Sequence, residues 1–131
     1  MKKFFLSAVG LMMMNVLFAQ ATEVSKITGA LNSGNSAGVS ELFLNSIDLS
    51  VDGNDDVYSK AQASQIVRSF FERNPAVKFS VNHEGTSRTN DIYRIGTLTT
   101  KTGNFRVTFF LKNEAGRYLI KELRIEKATG F

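Results

Sequence analysis

The side chains here best equipped for chemistry are one histidine, His83, and three tyrosines, Tyr58, Tyr93 and Tyr118. An imidazole can take or give a proton near neutral pH. Phenols can donate hydrogen bonds to a ligand or to a developing oxyanion. Gathered round one pocket, these four residues would make a small-molecule site. His83 also has a plainer reading, as a polar residue that closes the end of an apolar face beside a loop, bonded to Tyr93 or to backbone. Other chemistries lack their parts. The chain has no cysteine, so there is no thiolate nucleophile, no disulfide framework and no lipid attached at a thiol. A single histidine without cysteine is a poor basis for a transition-metal site, because zinc takes several such ligands. The run DGNDD at 52–56 is rich in oxygen ligands but lacks the spacing and closing glutamate of a calcium loop. It reads as a solvated turn, and no metal or cofactor is implied.

The element that must position any such site is SKAQASQIVRSFFERNP, Ser59 to Pro75. Ser59 and Gln62 form an S-x-x-Q capping box. Ala63, Ile66, Val67, Phe70 and Phe71 then recur on one helical stripe. Pro75 stops the helix, since the residue before a proline avoids helical angles. Two short helices are expected earlier. Thr22 caps the first, with Val24, Ile27 and Leu31 on one face; the second runs from about Ala37 to Asn45. Between that second helix and Ser59, Ile47, Leu49 and Val51 alternate with Asp48, Ser50 and Asp52, a half-buried strand. A brief extended piece follows at Val57 and Tyr58.

After Pro75 the pattern is strand upon strand, joined by EGTSRTND, KTGN and NEAG, and strands so close in sequence form an antiparallel meander. Setting Thr99 opposite Phe105, and His83 opposite Tyr93, builds one inner face: Val77, Phe79, Val81, His83, Tyr93, Ile95, Thr97, Thr99, Phe105, Val107, Phe109 and Leu111. The last strand resists a single phase. Tyr118 and Ile120 suit one, Leu123 and Ile125 the other. A bulge near Lys121 and Glu122 reconciles them and bends the sheet round the helix.

The first residues read as a leader. Met1-Lys2-Lys3 is basic, Phe4 to Phe18 is almost unbroken apolar sequence, and Ala19-Gln20-Ala21 offers a small-residue cleavage site. Residues 1–21 are therefore expected to be a signal peptide, cut after Ala19 or Ala21, and 22–131 a single exported domain, periplasmic or secreted. The apolar run is short for a membrane span of about 20 residues, so no stable span is expected after cleavage. Charge is unevenly spread. Residues 20–56 hold one lysine against six acids; residues 57–131 hold thirteen Lys and Arg against six Asp and Glu. The preferred reading is that one part of the fold complements the other. No dense basic cluster or nucleic-acid motif is present, so no nucleic acid is expected as a partner.

The order helix, helix, short hairpin, capped helix and bent four-strand meander resembles the nuclear transport factor 2-like fold, a cone-shaped α+β fold. VYSKAQASQIVRSFFERNP looks like its third helix and entry turn, and the strands after it look like its sheet. With the leader, the whole resembles a family of small exported bacterial domains of unknown function. The alternative is a cystatin-like fold, which leaves the first two helices unassigned. The superfamily implies an α+β domain with a strongly bent antiparallel sheet wrapped around helices, and a pocket, where one exists, between them. Its members include ketosteroid isomerase-like enzymes and plain dimerisation modules. An isomerase of that kind needs a carboxylate base inside the cone. The inner face expected here has none: Asp48 points outward, and Glu122 faces either way. The resemblance also implies a homodimer through the outer sheet face, at Arg94, Leu98, Arg106 and Phe110.

Two functional readings follow. The first is a non-catalytic binding or dimerisation module with a filled cone. The second is a binder of a small apolar ligand, or an isomerase-like enzyme, using Tyr58, His83, Tyr93 and Tyr118. A phenylalanine-rich inner face without acid favours the first.

Overall fold

A computed structural model describes residues 22–128; the expected leader lies outside the described residues. A first helix, α1, occupies residues 22–33. Then follow α2 (Ser36–Ser40), β1 (Phe43–Val51), β2 (Asn54–Ser59), α3 (Lys60–Arg73), β3 (Ala76–Thr86), β4 (Ile92–Thr100), β5 (Gly103–Glu114) and β6 (Arg117–Lys127). The second helix is shorter than expected, because Phe43 already belongs to β1. Its side chain is buried there, beside Ile120 of β6.

The helix α3 forms as its sequence requires. The Gln62 N–H donates to Ser59 Oγ at 3.2 Å, and the Ser59 N–H donates to Gln62 Oε1 at 3.3 Å. This reciprocal pair satisfies donors that a helix start leaves open. Ala63, Val67, Phe70 and Phe71 are buried, with Ile66 packed at the margin. At the other end Asn74 turns the chain, and both its backbone N–H and its side-chain Nδ2 donate to Phe70 O.

The six strands form one sheet in the order β2-β1-β6-β5-β4-β3. The meander is antiparallel, but β1 runs parallel to β6, a pairing that local alternation does not reveal. The bulge expected in the last strand is present. Phe110 pairs with Glu122 and Leu111 with Ile120, leaving Lys121 as the extra residue. Tyr118, Ile120, Leu123 and Ile125 are consequently all buried.

The register of the meander differs from the expectation by one residue. Leu98, not Thr99, pairs with Phe105, and Thr100 pairs with Gly103 across a two-residue turn. The turn is held by its own side chains: Thr100 Oγ1 donates to Gly103 O, and the Thr102 N–H donates to Thr100 Oγ1. A slip of one residue turns every side chain of a strand to the other face. The inner face of β4 is therefore Ile92, Arg94, Gly96, Leu98 and Thr100, while Tyr93, Ile95, Thr97 and Thr99 lie outside. Gly96 explains why. The Phe79 ring packs over it, and a Cβ there would come within 2.5 Å of that ring. On β3, a second bulge between Val81 and His83 puts His83 opposite Ile95 rather than Tyr93.

The core is filled where the sheet wraps α3. Phe70 packs edge-on against Phe71 at 5.4 Å and Phe105 at 4.9 Å between ring centroids. Leu98, Val107, Phe109 and Leu111 are fully buried around them. Each such side chain contributes about 1.5–3 kcal/mol. One backbone donor on each sheet edge is engaged by a side chain. Asn32 of α1 accepts the Phe79 N–H of β3 at 3.0 Å, and Asp56 accepts the Val57 N–H on β2 at 2.8 Å. Side chains thus occupy donors that an open edge would offer to another strand.

Candidate functional site

The four residues expected to share a pocket are divided between the two faces of the sheet. Tyr58 pairs with Ile47 on the inner side, and Tyr118 is buried on the inner side of β6. His83 and Tyr93 lie on the outer side, opposite Ile95 and Phe110. The one-residue register and the β3 bulge cause the separation. Among the described residues, Tyr58 and His83 line separate hollows. Tyr58 instead lines a groove of about 350 Å³ between the β1–β2 hairpin and α3, with Leu49, Val51, Ile66 and Arg73. His83 lines a separate hollow of about 370 Å³ on the outer face, with Asn82, Ile95 and Arg106.

The inner face offers little for catalysis. Phe79, Phe105 and Phe109 cover the concave side against Phe70 and Phe71, each at most 9% exposed. Among the described residues, every buried side-chain nitrogen and oxygen has a hydrogen-bond partner. Two buried carboxylates are already engaged. Glu23 of α1 accepts the backbone N–H of Tyr118. Asp91 is held by Lys121 and by Thr89 Oγ1, the latter at 2.7 Å. Burial works to raise the Asp91 carboxyl, but hydrogen bonds from Lys121 and Thr89, with the charges of Lys121 and Lys112, outweigh it. The group is held below its ordinary value.

Two of the four residues expected on the dimer face are elsewhere. Leu98 is fully buried on the inner face. Arg94 lies opposite Phe109, also inward, and its Nε meets Glu84 Oε2 at 3.3 Å. The same register slip explains both. Arg106 and Phe110 do face outward, on β5.

The outer face reads in rows across the strands. One row is Val57, Asp48, Glu122, Phe110, Tyr93 and Gly85. Tyr93 lies over Gly85, where any Cβ would collide with the phenol, and it packs on Phe110 at 5.6 Å between ring centroids. The next row is Asp55, Ser50, Arg124, Thr108, Ile95 and His83. A third carries Glu126, Arg106, Thr97 and Ser80. The β2-β1-β6 half of the face thus leans acidic, with Asp48, Asp55, Glu122 and Glu126 against Arg117 and Arg124. The β5-β4-β3 half leans basic, with Lys78, Arg106 and Lys112 against Glu114, which meets Lys112 at 3.7 Å. Phe110, Tyr93 and Ile95 lie within that second half.

Within the acidic half, Arg124 Nε meets Glu122 Oε1 at 3.3 Å and Nη2 meets Asp55 Oδ2 at 3.8 Å. One guanidinium does not neutralise three carboxylates. A hydrogen bond with Asp55, then burial, then the charges of Asp55 and Glu122 push the Asp48 carboxyl up to about 6, against the pull of Arg124. The outward alternation of Asp48 is legible in sequence; its partner Glu122 lies across a pairing between residues over 70 positions apart. Among the described residues no group of His, Cys, Asp or Glu side chains is arranged to hold a metal ion. Nor is any described helix long and apolar enough to cross a membrane.

The model of the family described as Domain of unknown function (DUF4783) matches residues 24–126. The chain belongs to that family. A DUF4783 protein from Bacteroides ovatus superposes on this domain with a TM-score of 0.75 at 35% identity, over 79% of this chain and 94% of that one. A second, from Bacteroides uniformis, gives a TM-score of 0.75 at 30% identity, over 80% and 96%. The designed protein Rd1NTF2_04 with long sheet matches at 21% identity with a TM-score of 0.62, over 80% of this chain and 97% of that one. The DUF4783 fold is thus α+β and nuclear transport factor 2-like. No curated protein matches the chain.

Proposed function

We propose that this DUF4783 domain is a non-catalytic interaction module that works as a homodimer through the outer face of its sheet. The observation that carries this reading is the division of that face into a half that leans acidic and a half that joins Lys78, Arg106 and Lys112 to the aromatic pair Phe110 and Tyr93. Such a face is complementary to a second copy of itself, as a two-fold contact requires. The filled inner face, with its buried polar groups satisfied, argues in the same direction. The leader pattern at 1–21 adds that the module acts outside the cytoplasm. Sedimentation of residues 22–131 between about 1 and 100 μM tests the association. Twice the chain mass is expected; a monomer at the top of that range overturns the reading.

One observation favours a second reading. The groove beside Tyr58 has an apolar floor of Leu49, Val51 and Ile66, with Asp52, Asn54 and Arg73 at its polar margin. A small apolar ligand with a polar end would fit that chemistry. Native mass spectrometry decides: an extra mass of a few hundred daltons, lost on denaturation, supports a ligand, and the bare chain mass removes it.

A further inference from the structure

We infer that the hollow between β3, β4 and β5 on the outer face binds a small carboxylate with an aromatic body. This goes beyond the homodimer reading and does not rest on it, because every residue of the site belongs to one chain.

The β3 bulge shapes the hollow. Asn82 is the extra residue between Val81, opposite Gly96, and His83, opposite Ile95. A bulge re-aims the side chains beside it, and Asn82 and His83, consecutive in sequence, line one hollow with Ile95 and Arg106. Thr97 Oγ1 donates to Asn82 Oδ1 at 2.9 Å. That bond engages the amide oxygen and leaves Asn82 Nδ2 to donate to a ligand. Arg106 stands opposite Glu126 in register, but Glu126 lines a different hollow, with Asp52, Gly53 and Lys127. Other carboxylates nearby are already paired: Glu84 with Arg94, and Glu122 and Asp55 with Arg124. Among the described residues, the Arg106 guanidinium and the His83 imidazole have no side-chain partner. Three donors therefore converge on a floor of Ile95 with no acid in the lining. A planar carboxylate can accept two parallel hydrogen bonds from a guanidinium.

The body of the ligand is set by the rest of the strip. Two residues along β4 from Ile95, Tyr93 packs on Phe110, and both rings are half-buried. From Arg106 to Phe110 the strip runs roughly 13 Å, four residues of β5 at about 3.3 Å each. Cation at one end and rings at the other select a molecule with an anionic head and an aromatic body. Inorganic phosphate would meet the donors and leave the rings unused.

Titration of the 15N-labelled protein with 3-phenylpropionate, followed by amide chemical shifts, tests this. The amides of Asn82, His83, Ile95 and Arg106 should shift saturably, with a Kd of about 1–10 mM for so small a ligand on an open surface. Neutral 3-phenylpropanamide and inorganic phosphate should each bind at least fivefold more weakly; equal affinity for either overturns the inference. Arg106→Gln should weaken binding at least fivefold, whereas Arg88→Gln, in the exposed β3–β4 loop, should not. Equal losses would mean a general effect of charge and would also overturn it. So would shifts confined to Tyr58, Ile66 and Arg73, or no saturable shift up to about 50 mM. Sedimentation keeps the two readings apart: a monomer that binds retains this site and removes the homodimer, and a dimer that does not bind does the reverse.

Discussion

The two faces of this sheet are built from the same strands under different constraints. On the concave side Leu98, Val107, Phe109 and Leu111 meet the phenylalanines of α3 without access to water. Shape decides there, and even a glycine, Gly96, is fixed by the ring above it. On the convex side the same strands carry Tyr93, Ile95, Arg106 and Thr108, half-buried or exposed, and charge decides. Asp48 is perturbed by its neighbours more than by depth. The contrast shows that strand register, and not residue type, decides what each side chain does. Leu98 and Ile95 are both apolar, yet they lie on opposite faces.

Adjacent residues on β4 break the comparison most sharply. Leu98→Asp should prevent folding, because it buries an unpaired charge. Thr97→Asp should leave a folded domain. Circular dichroism of the two proteins checks this, and equal behaviour would refute the register. Next in size is Asp91→Ala, expected to cost about 1–3 kcal/mol at pH 7 through the lost partner of Lys121. The Asp91 carboxyl is held below its ordinary value, so its contribution is present above about pH 4 and is lost as pH falls through the lowered value. Urea unfolding of wild type and variant should therefore converge in acid. Asp48 carries the opposite sign. Its carboxyl titrates at about 6 when folded and near 3.8 when unfolded, so ionisation opposes folding as pH rises through that window. Asp48→Asn should melt higher than wild type at about pH 7 and level with it below about pH 4. The smallest effect is His83→Ala, at an exposed outer position, with stability within about 0.5 kcal/mol of wild type. A larger loss in dilute, monomeric protein would mean the outer face also carries the fold.

Elements governed by neighbours in sequence were legible. The Ser59–Gln62 capping box, the α3 stripe and the bulge near Lys121 all follow from short-range spacing, and they imply a bent sheet on a helix. The candidate site was not legible, because it depends on register. Reading Thr99 opposite Phe105 left a longer hairpin loop, whereas the threonine hydroxyls close a two-residue turn. That single step moved Tyr93 outward and Leu98 and Arg94 inward. A signal was available in Gly96, since a glycine inside a strand marks a close approach. Nothing in the local pattern could show that β1 runs beside β6, and so the cluster of Asp48, Glu122 and Arg124 had no sequence signature.

That parallel pairing bears on how the chain reaches its native state. The strand β6 lies in the middle of the sheet, between β1 and β5, yet it follows the other described strands in sequence. Until it arrives, the β1–β2 hairpin and the β3–β5 meander are separate pieces, with Ile47, Leu49 and Val51 lacking their neighbours in β6. Joining them closes a loop of roughly 70 residues, the kind of distant contact that slows folding. A chain emerging gradually would hold a divided sheet until β6 was free. Losing those last residues would remove the keystone rather than trim an edge.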